Sequence, residues 1–207
     1  MSVKEQLEFY KKQIIESPEL TNAIFWCDFR FEEEVDVEKY ILVCNDKSNY
    51  EIYAFGKDGC GSNFVILNNK YIGFTSSEGE CGIIANDIKD FFNILVVCRG
   101  FQNYFQKGVF DNFDSFNDRF KKISKDYDDT LIEYGDYPYT NLINSLEKFI
   151  KENNFETDIS ILYDKFKSAI ITNPSFIIEC SDSNSKWYWD DLFGTEQGYI
   201  NELRKNR

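Results

Sequence analysis

The chain has 207 residues, 43% hydrophobic and 17% aromatic, with 20 Phe and 13 Tyr, ample material for a packed core and too much for wholesale disorder. Its formal net charge of −13 has the wrong sign for neutralising phosphates, which argues against nucleic acid and anionic membrane surfaces as partners. It contains no histidine, so a Ser-His-Asp triad, a Cys-His pair and a histidine metal site are all excluded.

In chain order, the first predicted element is a helix over residues 3–15. Val3, Leu7, Tyr10 and Ile14 recur at steps of three and four, and Pro18 marks its limit. This charged, amphipathic start lacks the basic-then-apolar layout of a signal peptide. No apolar run reaches membrane-spanning length, so the expectation is a cytoplasmic protein. Residues 23–32 (AIFWCDFRFE) read as a half-buried strand, with Phe29 and Phe31 alternating against charge. Glu32, Glu33, Glu34 and Asp36 form an acidic connection, Tyr40–Cys44 a short apolar strand, and Asn45–Asn49 a polar turn.

Strands are then expected at Tyr50–Phe55, Asn63–Leu67 and Lys70–Thr75. Asn68-Asn69 joins the last two in a hairpin, because Asn tolerates positive φ. A loop, SSEGECG, and a short apolar run at Ile83–Ala85 follow. From Asp87 the apolar residues Ile88, Phe91, Phe92, Leu95 and Val96 mark one face of a helix that Gly100 can end. Three more helical faces follow: Phe113 to Tyr127 with Asp111 as cap, Leu142 to Ile150, and Leu162 to Ile170 before Pro174. SFIIEC at Ser175–Cys180 reads as a final strand, followed by the turn SDSNSK and then WYWDDLFG.

Consecutive strands joined by tight turns, with helices grouped afterwards, predict an α+β fold: a largely antiparallel sheet with helices on one face. Residues 1–110 form the α+β region. Residues 111–207 form a mainly helical continuation packed on it in one globular unit.

The stretch FGKDGCGSNFVILNNKYIGFTSSEGECG holds six of the eleven glycines. It lacks the Lys-Ser/Thr of a phosphate loop and the third glycine of a dinucleotide fingerprint, and a strand follows where both motifs need a helix. It therefore reads as turns, with Gly59, Gly61, Gly79 and Gly82 as structural positions. Asp58, Ser62 and Asn63 do not continue into a calcium loop. Six cysteines without a CxxC pair read as buried thiols rather than a zinc site. Glu78 and Glu80 are the candidates for carboxylate catalysis, as in a hydrolase.

Taken together, FGKDGCGSNFVIL, YIGFTSSEGECG and the amphipathic helix after them resemble the SMI1/KNR4-like (SUKH) superfamily over Tyr50 to Tyr104. WYWDDLFG resembles the tail of related bacterial proteins. The resemblance implies an α+β fold with no catalytic residues, no cofactor and no metal. It also implies a protein-binding role: immunity against a secreted or contact-delivered toxin, or regulation as an interaction module. An acidic surface suits a basic toxin domain. The acidic residues expected to meet a partner are Glu32, Glu33, Glu34 and Asp36 in one cluster and Asp126, Asp128, Asp129, Glu133 and Asp136 in another, interleaved with Tyr127, Tyr134, Tyr137 and Tyr139. Tyr134 and Tyr137 are the aromatic candidates beside the second cluster. Trp187 and Trp189 are candidate anchors, with burial against the sheet as the alternative.

Overall fold

The computed structural model describes residues 2–32, 47–181, 185–193 and 198–205. Helix α1, Val3–Ile15, opens with a capping box in which Ser2 and Glu5 satisfy each other's backbone N–H groups. Its buried face is Leu7, Tyr10 and Ile14, as the periodicity predicts. The region after it differs from expectation. The first helix does stop short of Pro18, at Ile15, but Pro18 itself begins a second helix, α2, Pro18–Phe25. Proline is tolerated in the first helical turn, where its missing N–H would have no partner anyway. The Ser17 hydroxyl accepts from the Leu20 N–H at 3.3 Å and caps it. The expected strand over residues 23–32 shrinks to β1, Arg30–Phe31. The expected strand at Tyr40–Cys44 lies outside the described residues.

Strand β2 is the pair Lys47–Ser48, where a turn was expected. Strands β3, Ile52–Lys57, β4, Asn63–Leu67, β5, Tyr71–Thr75, and β6, Cys81–Ala85, match the predicted series closely. With β1 they form one sheet of order β1-β3-β4-β5-β6, antiparallel at every pairing. The hairpin turn is as read: Asn68 and Asn69 both have left-handed φ, 50° and 53°. The Asn68 side chain also accepts from the Glu51 N–H at 2.8 Å, tying the turn to the neighbouring strand.

Helix α3, Ile88–Val97, is capped by Asp87 and, beyond a first turn in which Lys89 is exposed, is buried on every side and not along one stripe. Its apolar face meets Phe64, Phe74 and Ile84 of the sheet within the main core cluster. The far side is covered by α1 and by two later helices, α5, Tyr139–Glu152, and α6, Ile159–Ile170. Buried Asn93 on α3 is satisfied by the backbone of Glu156, donating at 2.8 Å and accepting at 2.9 Å. That exchange fixes the α5–α6 connection against the central helix. Arg99, with φ 62°, takes the left-handed position that ends α3, one residue before Gly100.

A short 3-10 turn, Gln102–Tyr104, leads to α4, Phe113–Tyr134. Its cap is Asn112 rather than Asp111, whose carboxylate instead accepts from the Tyr199 hydroxyl at 2.7 Å. After α6 come β7, Ile178–Ser181, and β8, Lys186–Trp189, and then a terminal helix α7, Tyr199–Lys205, that the sequence reading did not contain. Strands β2, β7 and β8 make a second antiparallel sheet.

This small sheet explains the uninterrupted apolar run FVIL. Phe64 and Ile66 face the helices, while Val65 and Leu67 join a separate cluster with Phe176 and Ile178. A strand buried on both faces needs no polar alternation. The expected placement of helices on one face is therefore met, and the second sheet covers the other. The main cluster runs from Leu7 to Leu203 and includes residues of α4, α5, α6 and α7.

Candidate functional site

The glycine-bearing turn is organised by one carboxylate. Asp58, 1% exposed, accepts from the Cys60 and Ser62 N–H groups at 2.8 Å each and from the Gln102 side-chain amide. Gly61 has φ +91°, which only glycine adopts without strain, so the tight turn depends on it. The Gly59 N–H donates to the Asp28 carboxylate at 2.8 Å. Three amides that a phosphate could use, those of Gly59, Cys60 and Ser62, are thus taken by Asp28 and Asp58. Gly79 also has positive φ, as a turn residue should. Gly82 is a correction: it lies inside β6, and a Cβ there would fall 2.5 Å from Leu192 Cγ, so it serves close packing and not a turn.

Asp28 links this turn to the end of α2. Burial raises its carboxyl above the usual range; the neighbouring Asp58 charge adds to this, while the Gly59 N–H and Arg30 oppose it. Next to it, Phe25, Trp26, Phe29, Lys57 and Gly59 line a largely apolar cleft of about 230 Å³. Phe25 is 48% exposed. The Trp26 ring lies 5.4 Å from Phe25 and 6.3 Å from Tyr134, centroid to centroid. Tyr134, the last residue of α4, is 59% exposed. Beyond it, Asp136 is fastened to α2 by Asn22, whose side-chain amide donates to its carboxylate at 2.7 Å. The result is an aromatic ridge in which Phe25 and Tyr134 are exposed and Trp26 between them is half-buried, with Asp28, Asp136 and Tyr137 close by.

The predicted partner-binding residues distribute unevenly around this ridge. Tyr134 belongs to it, and Tyr137 is exposed in the connection just beyond. Glu32 does not offer a free charge: it is held by Lys57 at 2.5 Å, both side chains being about three-quarters buried. Glu33, Glu34 and Asp36 lie outside the described residues. Asp126, Asp128 and Asp129 sit on helix α4 and not in a loop. At 100° per residue Asp126 and Asp129, three residues apart, are neighbours on one face, while Asp128 lies about 100° round from Asp129. Asp126 borders a cleft with Arg119 and Lys122, Asp128 lies near Tyr139, whose hydroxyl is raised first by burial and then by the Asp128 charge, and Asp129 is exposed.

The sequence reading missed Phe25 and Trp26 because it placed them on a strand. The signal that would have found them is Ser17-Pro18-Glu19, a helix start that puts both at the far end of α2. Trp187, offered as an anchor or a buried residue, is 46% exposed on β8, at the edge of the small sheet, with Tyr188 beside it at 54%. Trp189 is half-buried, its indole against Gly79.

Glu78 is exposed, and Glu80 accepts from the Ser76 hydroxyl within its own loop. Among the described residues no group of three or more acidic or cysteine side chains is placed to hold a metal ion. Cys27, Cys81, Cys98 and Cys180 are buried thiols as expected, whereas Cys60 is exposed on the turn. Burial pushes the Cys27 thiol up to about 11 and Cys98 up to about 12. Among the described residues no helix is long and apolar enough to cross a membrane. No protein-family model matches the chain, and no curated protein or solved structure is significantly similar to it.

Proposed function

We propose that this chain is a non-catalytic, SMI1/KNR4-like binding protein of the immunity type, which occludes a basic toxin domain. The observation that carries the reading is the Phe25–Trp26–Tyr134 ridge. Large aromatic side chains left at the surface mark contact sites, because their burial supplies most of the energy of an interface. Carboxylates at Asp28 and Asp136 flank the ridge, and the chain as a whole carries −13. Opposite charge steers encounter and disfavours wrong partners, while the aromatic centre supplies lifetime.

The resemblance over Tyr50 to Tyr104 supplies the immunity assignment. Support comes from the way the turn is built, since Asp28 and Asp58 accept from the N–H groups of Gly59, Cys60 and Ser62, the pattern of a scaffold rather than a ligand cradle. The test is a search for a toxin-domain gene beside this one and co-expression with the domain it encodes; absence of any such gene counts against the reading. Protection of growth that disappears with a Phe25→Ala/Tyr134→Ala variant supports the reading. Growth inhibition unrelieved by the intact chain would remove it.

A further inference from the structure

On the other side of Trp26 the polarity reverses. Arg99, Arg119 and Lys122 converge with Trp26, Tyr127 and Asp126 around a cleft of about 280 Å³. Three cations against one carboxylate is an unusual balance in a chain of net charge −13.

The cations are positioned by the fold. Arg99 sits at the left-handed end of α3, where its Nη1 donates to the Val96 carbonyl at 2.6 Å. Its guanidinium lies 4.9 Å from the Tyr127 ring centroid. Arg119 on α4 donates through Nε to the Asn103 carbonyl at 2.6 Å, which leaves its two terminal nitrogens available. Lys122 is exposed one turn further along. Among the described residues none of the three forms an ion pair with a carboxylate.

Two donors belonging to residues of this cleft are buried without any partner: Arg99 Nε and Trp26 Nε1. Buried N–H groups are nearly always satisfied, and leaving one unpaired costs about 1–3 kcal/mol. The ligand-facing groups of the cleft are the unpaired cations themselves, which suit an acceptor-rich ligand.

We propose that the cleft binds the phosphate group of a small phosphorylated molecule. Three cations less Asp126 leave a surplus of two charges, which matches the roughly −1.5 to −2 of a phosphate monoester at neutral pH. A carboxylate would neutralise only half of that surplus. Arginine forks suit phosphate oxygens, and Trp26, which lines the cleft, reports on its occupancy. The cleft is just under the ~300 Å³ at which drug-sized pockets begin, which leaves room for a phosphate and a short organic body. Asp126 is available to accept from a hydroxyl of that body. Tyr127 offers its ring only, because its hydroxyl donates to the Ala23 carbonyl at 2.8 Å.

The test titrates the full chain with glycerol 3-phosphate, inorganic phosphate and acetate, following the indole N–H resonances by NMR. The expected result is a saturable shift of the Trp26 indole signal, assigned with Trp26→Phe, and stationary Trp187 and Trp189 signals. Acetate produces no such shift. Arg119→Gln and Lys122→Gln each weaken binding about tenfold, the loss of one charged hydrogen bond, with an unchanged melting temperature. Because Arg99 also ends a helix, these two surface variants carry the test. A monoester bound more tightly than inorganic phosphate supports the organic body, and equal affinities would overturn that part. No saturable shift, or binding unaltered in a folded Arg119→Gln/Lys122→Gln double variant, overturns the proposal. Partner binding is probed at Phe25 and Tyr134, so the two readings fail separately.

Discussion

Asn22 and Asp136, 114 residues apart in sequence, hold each other by two hydrogen bonds: the Asn22 amide donates to the Asp136 carboxylate at 2.7 Å, and the Asp136 N–H donates to the Asn22 oxygen at 3.3 Å. This pair brings the end of α4 against α2 and so sets Tyr134 beside Trp26. Asn22→Ala is expected to cost about 1 kcal/mol of stability, the ordinary worth of hydrogen bonds at an exposed site. It is also expected to weaken partner binding by loosening Tyr134. Urea denaturation and calorimetry on the same variant measure the two effects. A stability loss with unchanged affinity would detach this pair from the binding surface.

The turn around Asp58 is expected to be far more sensitive. Asp58→Ala removes the acceptor for the Cys60 and Ser62 N–H groups and for Gln102 in a buried setting. A loss of about 2–4 kcal/mol follows from stranding several donors at once. Denaturant unfolding checks it, and a loss below about 1 kcal/mol would show that the carboxylate does not organise the turn.

Gly82→Ala tests close packing in β6. The added Cβ would lie 2.5 Å from Leu192 Cγ, and overpacking of this kind costs about 1–3 kcal/mol. Combined with Leu192→Ala, the two losses should not add, because the second change removes the obstacle to the first. Additive losses in a double-mutant cycle would place the strain elsewhere.

Stability should fall as pH rises above the unfolded-state carboxylate value of about 4. Burial raises Asp28, Asp190 and Asp191 in the folded chain. The folded state therefore holds more protons than the unfolded state in the window between the two values, and the slope of stability there is negative. Asp28→Asn keeps an oxygen for the Gly59 N–H and removes one such group. Its urea midpoint should vary less with pH across that window than that of the parent chain, and equal slopes would exclude Asp28 as a contributor.

Cysteine labelling gives a direct reading of burial. Cys60 is exposed, while Cys27, Cys81, Cys98 and Cys180 are covered. Brief alkylation of the native chain should modify Cys60 and spare those four, as read by peptide mass spectrometry. Rapid modification of Cys27 or Cys98 would contradict the packing around α3.

The central sheet was legible because its signals are local. FVIL-NN-KYIGF contains both strands and the two asparagines that adopt positive φ, and Asp87 announces the helix that follows. The region from Pro18 to Phe29 was not legible in the same way. A proline serves equally as a stop or as a first-turn residue, and the choice depended on Ser17 capping what came next. The second sheet depends on β2 pairing with β7, a contact that no local pattern encodes. The ridge was half visible: Tyr134 and Tyr137 drew notice as aromatics beside acids, but Trp26 joins them only through the Asn22–Asp136 bonds. Glu32 shows the converse, since its sequence context gave no sign of the Lys57 that neutralises it.

The most direct measurement is isothermal titration of the purified chain against a basic toxin domain, the partner proposed for it, taken from any toxin gene found beside its own, repeated with Phe25→Ala and Tyr134→Ala. A one-to-one complex is expected, weakened about 30-fold or more by each substitution, as for residues at the centre of an interface, with melting temperatures unchanged. Absence of a complex, or a complex indifferent to both substitutions, would contradict the account.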